Sequence, residues 1–286
     1  MSKVKLAKNI GSMSLAVFIS RILGLLRDIV MTNYFGTTHV ADAFRVAFQI
    51  PNFLRRLFGE GALSAAFIPI YSDIGIKKGR EYQIRFAINV VSLLTIFLII
   101  LCLLGILLAP VLVRVIAPGL DDITQILTIK LVRALFPYLF LIGISSTLIS
   151  ILNSHDMFFI PGLSSAFLNL GMIGSLGIFI LLNETSTMEE KIFYWSYGVL
   201  LGGMLQAIIN FPLLKKLGYR IKLNLSTQSD ALQAVWRRMI PGAIGIAVRQ
   251  KHAIRPIKYF LFHCGSFVEQ NKDSQTADHS KIQECR

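Results

Sequence analysis

The chain has 286 residues, 54% hydrophobic and only 16% charged, with a mean hydropathy of +0.62. Soluble domains are about a quarter charged, so an ordinary water-soluble fold is excluded. The net charge of +13 would suggest a nucleic-acid partner in a soluble protein. Here the basic residues sit in short loops between apolar blocks, where they orient spans and meet anionic membrane lipids, and no nucleic acid is expected.

A helix of about 20 apolar residues crosses the hydrocarbon of a bilayer. By that measure the sequence predicts six complete spans, over residues 11–36, 43–72, 86–116, 128–152, 159–182 and 192–214. A seventh begins near Val235 and is cut short after Pro241. The fold class is therefore all-α, a polytopic membrane protein. Positive and non-positive loops alternate. Lys3, Lys5 and Lys8 precede the first span, Lys77, Lys78, Arg80 and Arg85 follow the second, and Lys215, Lys216, Arg220 and Lys222 follow the sixth. Loops one, three and five are acidic or neutral, and the fourth, at 153–159, carries no signal. The N-terminus and the even loops are accordingly expected in the cytoplasm.

Residues 1–223 form the six-helix unit, and 224–249 hold the unfinished span. Residues 250–286 have no spanning segment but contain three of five histidines and two of three cysteines. The abrupt change reads as an aberrant polar tail, from a truncated or frameshifted product. Cys102, Cys264 and Cys285 have neither metal-ligand nor disulfide spacing. No glycine-rich phosphate loop with a lysine, no HExxH and no GxSxG occurs. Neither an enzyme nor a cofactor is implied, and no metal site is expected.

The chemistry lies in the first two spans. Arg21, Arg27 and Asp28 stand within span one, where each costs about 2.5–3.5 kcal/mol at a bilayer centre on insertion scales. Arg21 and Asp28, seven residues apart, share nearly one helix face, with Gly24 between them. In span two Asp42, Arg45, Gln49, Asn52, Arg56 and Glu60 recur at spacings of three and four, with Arg55 beside the stripe and Pro51 in the middle. Such a stripe cannot face lipid. It is either an ion-pair seam, Arg21 or Arg27 meeting Asp42 or Glu60, or one wall of a water-filled cationic cavity. Among Arg21, Arg27, Asp28, Arg45, Arg55, Arg56 and Glu60 five residues are basic and two acidic. That excess favours an anion, which the planar arginine fork binds bidentately.

Other features are weaker. Pro137 and Pro161 read as kinks or span starts. Gly171, Gly174, Gly177, Gly198, Gly202 and Gly203 read as close helix packing. His155 reads as a surface loop residue, and Trp195 with Tyr197 as part of an interfacial belt.

The runs S-R-I-L-G-L-L-R-D-I-V (Ser20–Val30), F-G-T-T-H-V-A-D-A-F (Phe35–Phe44) and I-P-N-F-L-R-R-L-F-G-E-G-A-L-S-A-A-F-I-P (Ile50–Pro69) resemble the MurJ (MviN) family of the MOP exporter superfamily. A-P-G at Ala117–Gly119, F-P-Y at Phe136–Tyr138 and the run Ile151–Gly162 are similar too. The resemblance covers about residues 8–249. It implies the first half of a two-lobed lipid II flippase of the bacterial inner membrane, with 224–249 opening the second lobe. Such a protein moves undecaprenyl-pyrophosphate-linked peptidoglycan precursor outward by alternating access, driven by membrane potential or by an ion that the sequence does not specify. It implies substrate-binding roles for Arg21, Arg27 and Arg55, and supporting or gating roles for Asp28, Asp42, Arg56 and Glu60. The alternatives are a related drug or polysaccharide exporter, or a non-transporting membrane remnant. A lone half lacks the other cavity wall, so the chain by itself is expected not to flip lipid.

Overall fold

The computed structural model describes the backbone of residues 3–55, 62–183 and 185–219, with isolated positions at 234, 235, 237, 241 and 245. Side chains are described from residue 11 onward, except 55 and 62–64. All regular structure among the described residues is helical: α1 Lys3–Phe35, α2 His39–Arg55, α3 Ala62–Lys78, α4 Arg80–Leu107, α5 Ala109–Ile116, α6 Asp122–Asn153, α7 Phe159–Leu182, α8 Met188–Ile208 and α9 Phe211–Lys216.

The predicted fifth span coincides with α7. The others are displaced or divided for local reasons. The single predicted span over 43–72 corresponds to two helices, α2 and α3, on either side of residues 56–61, which are outside the description. The third becomes α4 and α5, because Pro110 at the start of α5 has no N–H to continue the ladder. Helix α4 also begins six residues before the predicted span, since its first turns carry Arg80, Glu81 and Arg85 and stand beyond the apolar run. Helix α8 begins early through a capping box. Thr187 Oγ1 accepts from the Glu190 N–H at 3.2 Å, and the Glu190 carboxylate accepts from the Thr187 N–H at 2.9 Å. Glycines in the left-handed region end α1 (Gly36, φ 53°), precede α4 (Gly79, φ 82°) and follow α9 (Gly218, φ 86°). The predicted seventh span lies outside the described residues apart from isolated positions.

Among the described residues four helical segments are long and apolar enough to cross a membrane: α4, α6, α7 and α8 together with α9. Their outer faces carry exposed apolar residues such as Ile100, Leu103 and Leu107 of α4 and Leu181 and Leu182 of α7. A bilayer covers such faces at no cost to solubility. Helix α1 is 33 residues long, but Arg21, Arg27 and Asp28 interrupt its apolar run.

Helix α6 is the centre of the bundle, packed on α2, α4 and α8, while α7 lies between α1 and α8. The α7–α8 crossing is built on small residues. A Cβ placed on Gly171 would come within 2.6 Å of the Gly198 carbonyl oxygen and the Gly202 nitrogen, and one on Gly202 within 2.6 Å of Leu168 Cα. Gly203 instead faces the Tyr138 ring of α6, while Gly174 and Gly177 have open space around them. The predicted stripe of small residues is thus a contact at four of its six positions. Trp195 is fully buried, edge-on to Phe35 at 6.2 Å between ring centres, and so is a core residue. The interfacial role predicted for it is wrong: its position two turns into α8 turns the ring toward α1. Tyr197 is half exposed.

Candidate functional site

Helices α1 and α2 scarcely touch each other, since α1 leans on α7 and α2 on α6. Between these two pairs lies a cavity of about 690 Å³, within the range of small-molecule sites. Gly24 and Arg27 of α1, Phe48 and Asn52 of α2 and Tyr138 of α6 line it, together with hydroxyl and amide side chains of α6, α7 and α8. Arg27 is the one charged residue among the described lining residues.

The Arg27 guanidinium is held on two sides. Its Nε and one terminal nitrogen donate to Asp28 Oδ1 at 3.0 and 2.8 Å, and the other terminal nitrogen donates to Asn169 Oδ1 at 3.0 Å. A guanidinium has five N–H donors; three are engaged here, and two remain for a ligand. Asn169 is itself fixed, its amide donating to the Ser20 carbonyl at 3.3 Å, and Ser20 and Ser165 hydroxyls meet at 2.5 Å. Gly24 faces the same level, and a Cβ there would lie in ordinary contact, 3.6 Å from the Asn169 amide nitrogen. Arg27 thus presents an oriented guanidinium to the cavity, its charge partly balanced by the exposed Asp28.

The other site residues named from sequence fall differently. Arg21 is exposed on α1 and does not line the cavity. Asp42 pairs with Arg45, one turn on, at 3.3 Å, and both side chains are substantially exposed. Gln49 and Asn52 continue that stripe, opposite a buried face of Val40, Ala43, Phe44, Ala47 and Ile50. Among the described residues no ion pair joins Arg21 or Arg27 to Asp42, so the seam reading fails at that pairing. The side chains of Arg55, Arg56 and Glu60 lie outside the described residues. Sequence reasoning missed Asn169, Ser165 and Gln206: single uncharged polar residues in apolar runs, they raise no charge signal, although a polar side chain inside a span needs a partner or a cavity.

His155, expected at the surface, joins three segments at one end of the bundle. Arg80 donates to its Nε2 at 2.7 Å, to Gln83 at 3.0 Å and to the Leu217 carbonyl at 2.9 Å. Tyr71 also meets His155 Nε2 at 2.7 Å and bonds to Tyr219. An arginine only donates, so Nε2 accepts and the ring is neutral. Partial burial, then the Arg80 charge, push His155 below the usual imidazole range, against a small opposing effect of Asp156. With the folded value below the unfolded 6.5, the stability this neutral ring contributes is complete above pH 6.5 and is lost as pH falls below it. Melting curves from pH 8 to pH 5 are expected to decline on the acid side, and His155→Gln is expected to flatten that decline.

A family model described as lipid II flippase MurJ matches residues 31–254. The chain belongs to the MurJ family. It is 34% identical over 249 residues to the probable lipid II flippase MurJ of Buchnera aphidicola subsp. Baizongia pistaciae, covering 86% of this chain and 48% of the relative. It is 35% identical over 251 residues to the probable lipid II flippase MurJ of Bdellovibrio bacteriovorus, covering 86% and 47%. A solved structure, lipid II flippase MurJ in an inward closed conformation, superposes with a TM-score of 0.70 at 27% identity, over 88% of this chain and 50% of that one. The chain spans about half the length of these MurJ relatives.

Proposed function

We propose that this chain supplies the amino-terminal six-span lobe of a lipid II flippase, with its N-terminus in the cytoplasm of a bacterium and its spans in the inner membrane. The observation that carries this reading is the Arg27 cavity, polar and with Arg27 as the one charge among its described lining residues, inside a bundle whose outer faces are apolar. The pyrophosphate of a lipid-linked precursor meets the two unengaged N–H groups of Arg27 while its polyprenyl tail stays in the bilayer. Charge-assisted bonds of this kind are about twice as strong as neutral ones. Arg21 and Arg55 are assigned to the same anion on its way in or out. Asp28, Asp42, Arg56 and Glu60 are assigned to balancing and gating that charge, Asp28 by competing with phosphate for Arg27.

Alternating access needs a second body for the first to move against. In cells depleted of their own flippase, the chain joined to the carboxy-terminal half of a MurJ relative is expected to restore growth and outer-leaflet exposure of the precursor. The chain alone is expected to restore neither. A joined protein that still flips with Arg27→Ala would overturn the site assignment, and flipping by the chain alone would overturn the lobe assignment.

A further inference from the structure

The cavity has two unlike halves. At the level of Arg27 and Asn169 the polar groups are bonded to one another. One turn back along α7 Ser165 still bonds to Ser20, but two other groups at that level are unpaired. Gln206 and Ser164 both line the cavity, each with 3% of its surface exposed, and neither Gln206 Oε1 nor Ser164 Oγ has a hydrogen-bond partner. The packing of α7 on α8 places these two side chains at one height. Gly198 meets Gly171 and Met172, and Gly202 meets Leu168 and Phe167. One turn on, in the same antiparallel register, Gln206 comes level with Ser164. That level is five residues from Asn169, or about 7.5 Å along the helix axis. Ser146 of α6 and Asn153 at its end extend the same uncharged lining.

A group left without a partner in a buried position is costly, and such a pair persists in a cavity wall where a ligand completes it. Gln206 Oε1 can only accept, so it calls for an O–H or N–H. The serine hydroxyl donates and accepts, and among the described lining residues none in this half carries a charge. We propose that Gln206 and Ser164 form a neutral hydrogen-bonding subsite for the hydroxyl and N-acyl groups of a saccharide whose phosphates lie at Arg27. This rests on the anion reading of Arg27 above and extends it: Gln206 is the residue that distinguishes a sugar-bearing prenyl pyrophosphate from a bare one. Sites that bond a ligand's polar groups discriminate strongly against an analogue lacking them, because their own groups are then left unpaired.

The test is calorimetric titration of the purified full chain with two probes, a short-chain prenyl pyrophosphate and the same molecule bearing an N-acetylated amino sugar. The wild-type chain is expected to bind the sugar-bearing probe about tenfold or more tightly, as two added hydrogen bonds would give. Gln206→Leu and, separately, Ser164→Ala are expected to shrink that preference severalfold without weakening the bare pyrophosphate. Melting curves check each fold, and both variants should melt at or above the wild-type temperature, since they remove unpaired polar atoms. Arg27→Gln is expected to weaken both probes alike. A preference unchanged in Gln206→Leu overturns the subsite and leaves the Arg27 reading standing. Equal binding of both probes by the wild-type chain also overturns it, and assigns the Gln206 level to water. Loss of Arg27 without effect on either probe, or no binding of either by the wild type, overturns the anion reading and the subsite together.

Discussion

Gly198→Leu is expected to unfold the bundle at a markedly lower temperature, because its side chain has nowhere to go. A Cβ at Gly198 already lies 2.6 Å from the Gly171 carbonyl oxygen and 2.7 Å from Met172 Cα, atoms of the α7 backbone that no rotamer change can move. A leucine there pushes α8 off α7 and, through α7, strips the support from α1. Overpacking a well-packed site costs about 1–3 kcal/mol and sometimes more. With backbone on both sides the upper end applies, about 3 kcal/mol, or roughly 6–12 °C for a chain of this size. The measurement is a melting curve of the purified chain in detergent. Gly174→Ala is the matched control. Gly174 lies in α7, three residues after Gly171, with nothing within 4 Å of its Cβ, and the change removes a residue of poor helix propensity, so the melting temperature is expected to hold or rise.

Arg27→Gln is expected to lower affinity for a prenyl pyrophosphate by about 10- to 150-fold, the equivalent of 1.5–3 kcal/mol for a hydrogen bond to a charged group. Glutamine keeps much of the length and polarity of arginine but has no charge and no fork. Arg27→Lys is expected to recover only part of the loss, because a compact ammonium reaches the phosphate as a point charge and cannot keep Asn169 and Asp28 in place at the same time. Asn169→Leu leaves the charge but removes the 3.0 Å contact that orients it, and an intermediate loss is expected. Equilibrium titration of the three variants beside the wild-type chain gives the order Arg27→Gln weakest, then Arg27→Lys and Asn169→Leu.

Much of this architecture is legible in the sequence because bilayer thickness imposes long apolar runs and charge marks their ends. The α7 span, Phe159–Leu182, is read directly because an apolar run ends cleanly on both sides. Span ends that carry charge, such as Arg80 and Glu81 of α4, are not, since a helix continues past the hydrocarbon without changing pattern. Arg27 was legible for the opposite reason: a charge among apolar residues must have a partner or face water. The polar stripe of α2 was legible as a periodicity, but periodicity does not choose between a seam and a cavity. That choice depends on the gap between α1 and α2, which is set by where α1 meets α7 and α2 meets α6. Trp195 shows the same limit. Its position near a span end was correctly read, while its burial depends on Phe35, 160 residues earlier in the chain. His155 reads as a surface residue from sequence because its partners, Tyr71 and Arg80, come from segments far away along the chain. Burial, and the Tyr71 hydroxyl beside it, push the Tyr219 phenol well above its usual range.

The central claim is that an anionic lipid-linked head group occupies the cavity between the α1–α7 and α2–α6 pairs. Photo-crosslinking tests it most directly, using a prenyl pyrophosphate saccharide with a diazirine beside the phosphates and mass-spectrometric mapping of the labelled residues on the intact chain. The account predicts labels on α1 near Gly24 and Arg27 and on α7 between Ser164 and Asn169, lost in Arg27→Gln and displaced by unlabelled probe. Labels confined to the exposed faces, at Phe18 and Leu25 of α1 or Leu103 and Leu107 of α4, and unchanged in Arg27→Gln, would contradict it.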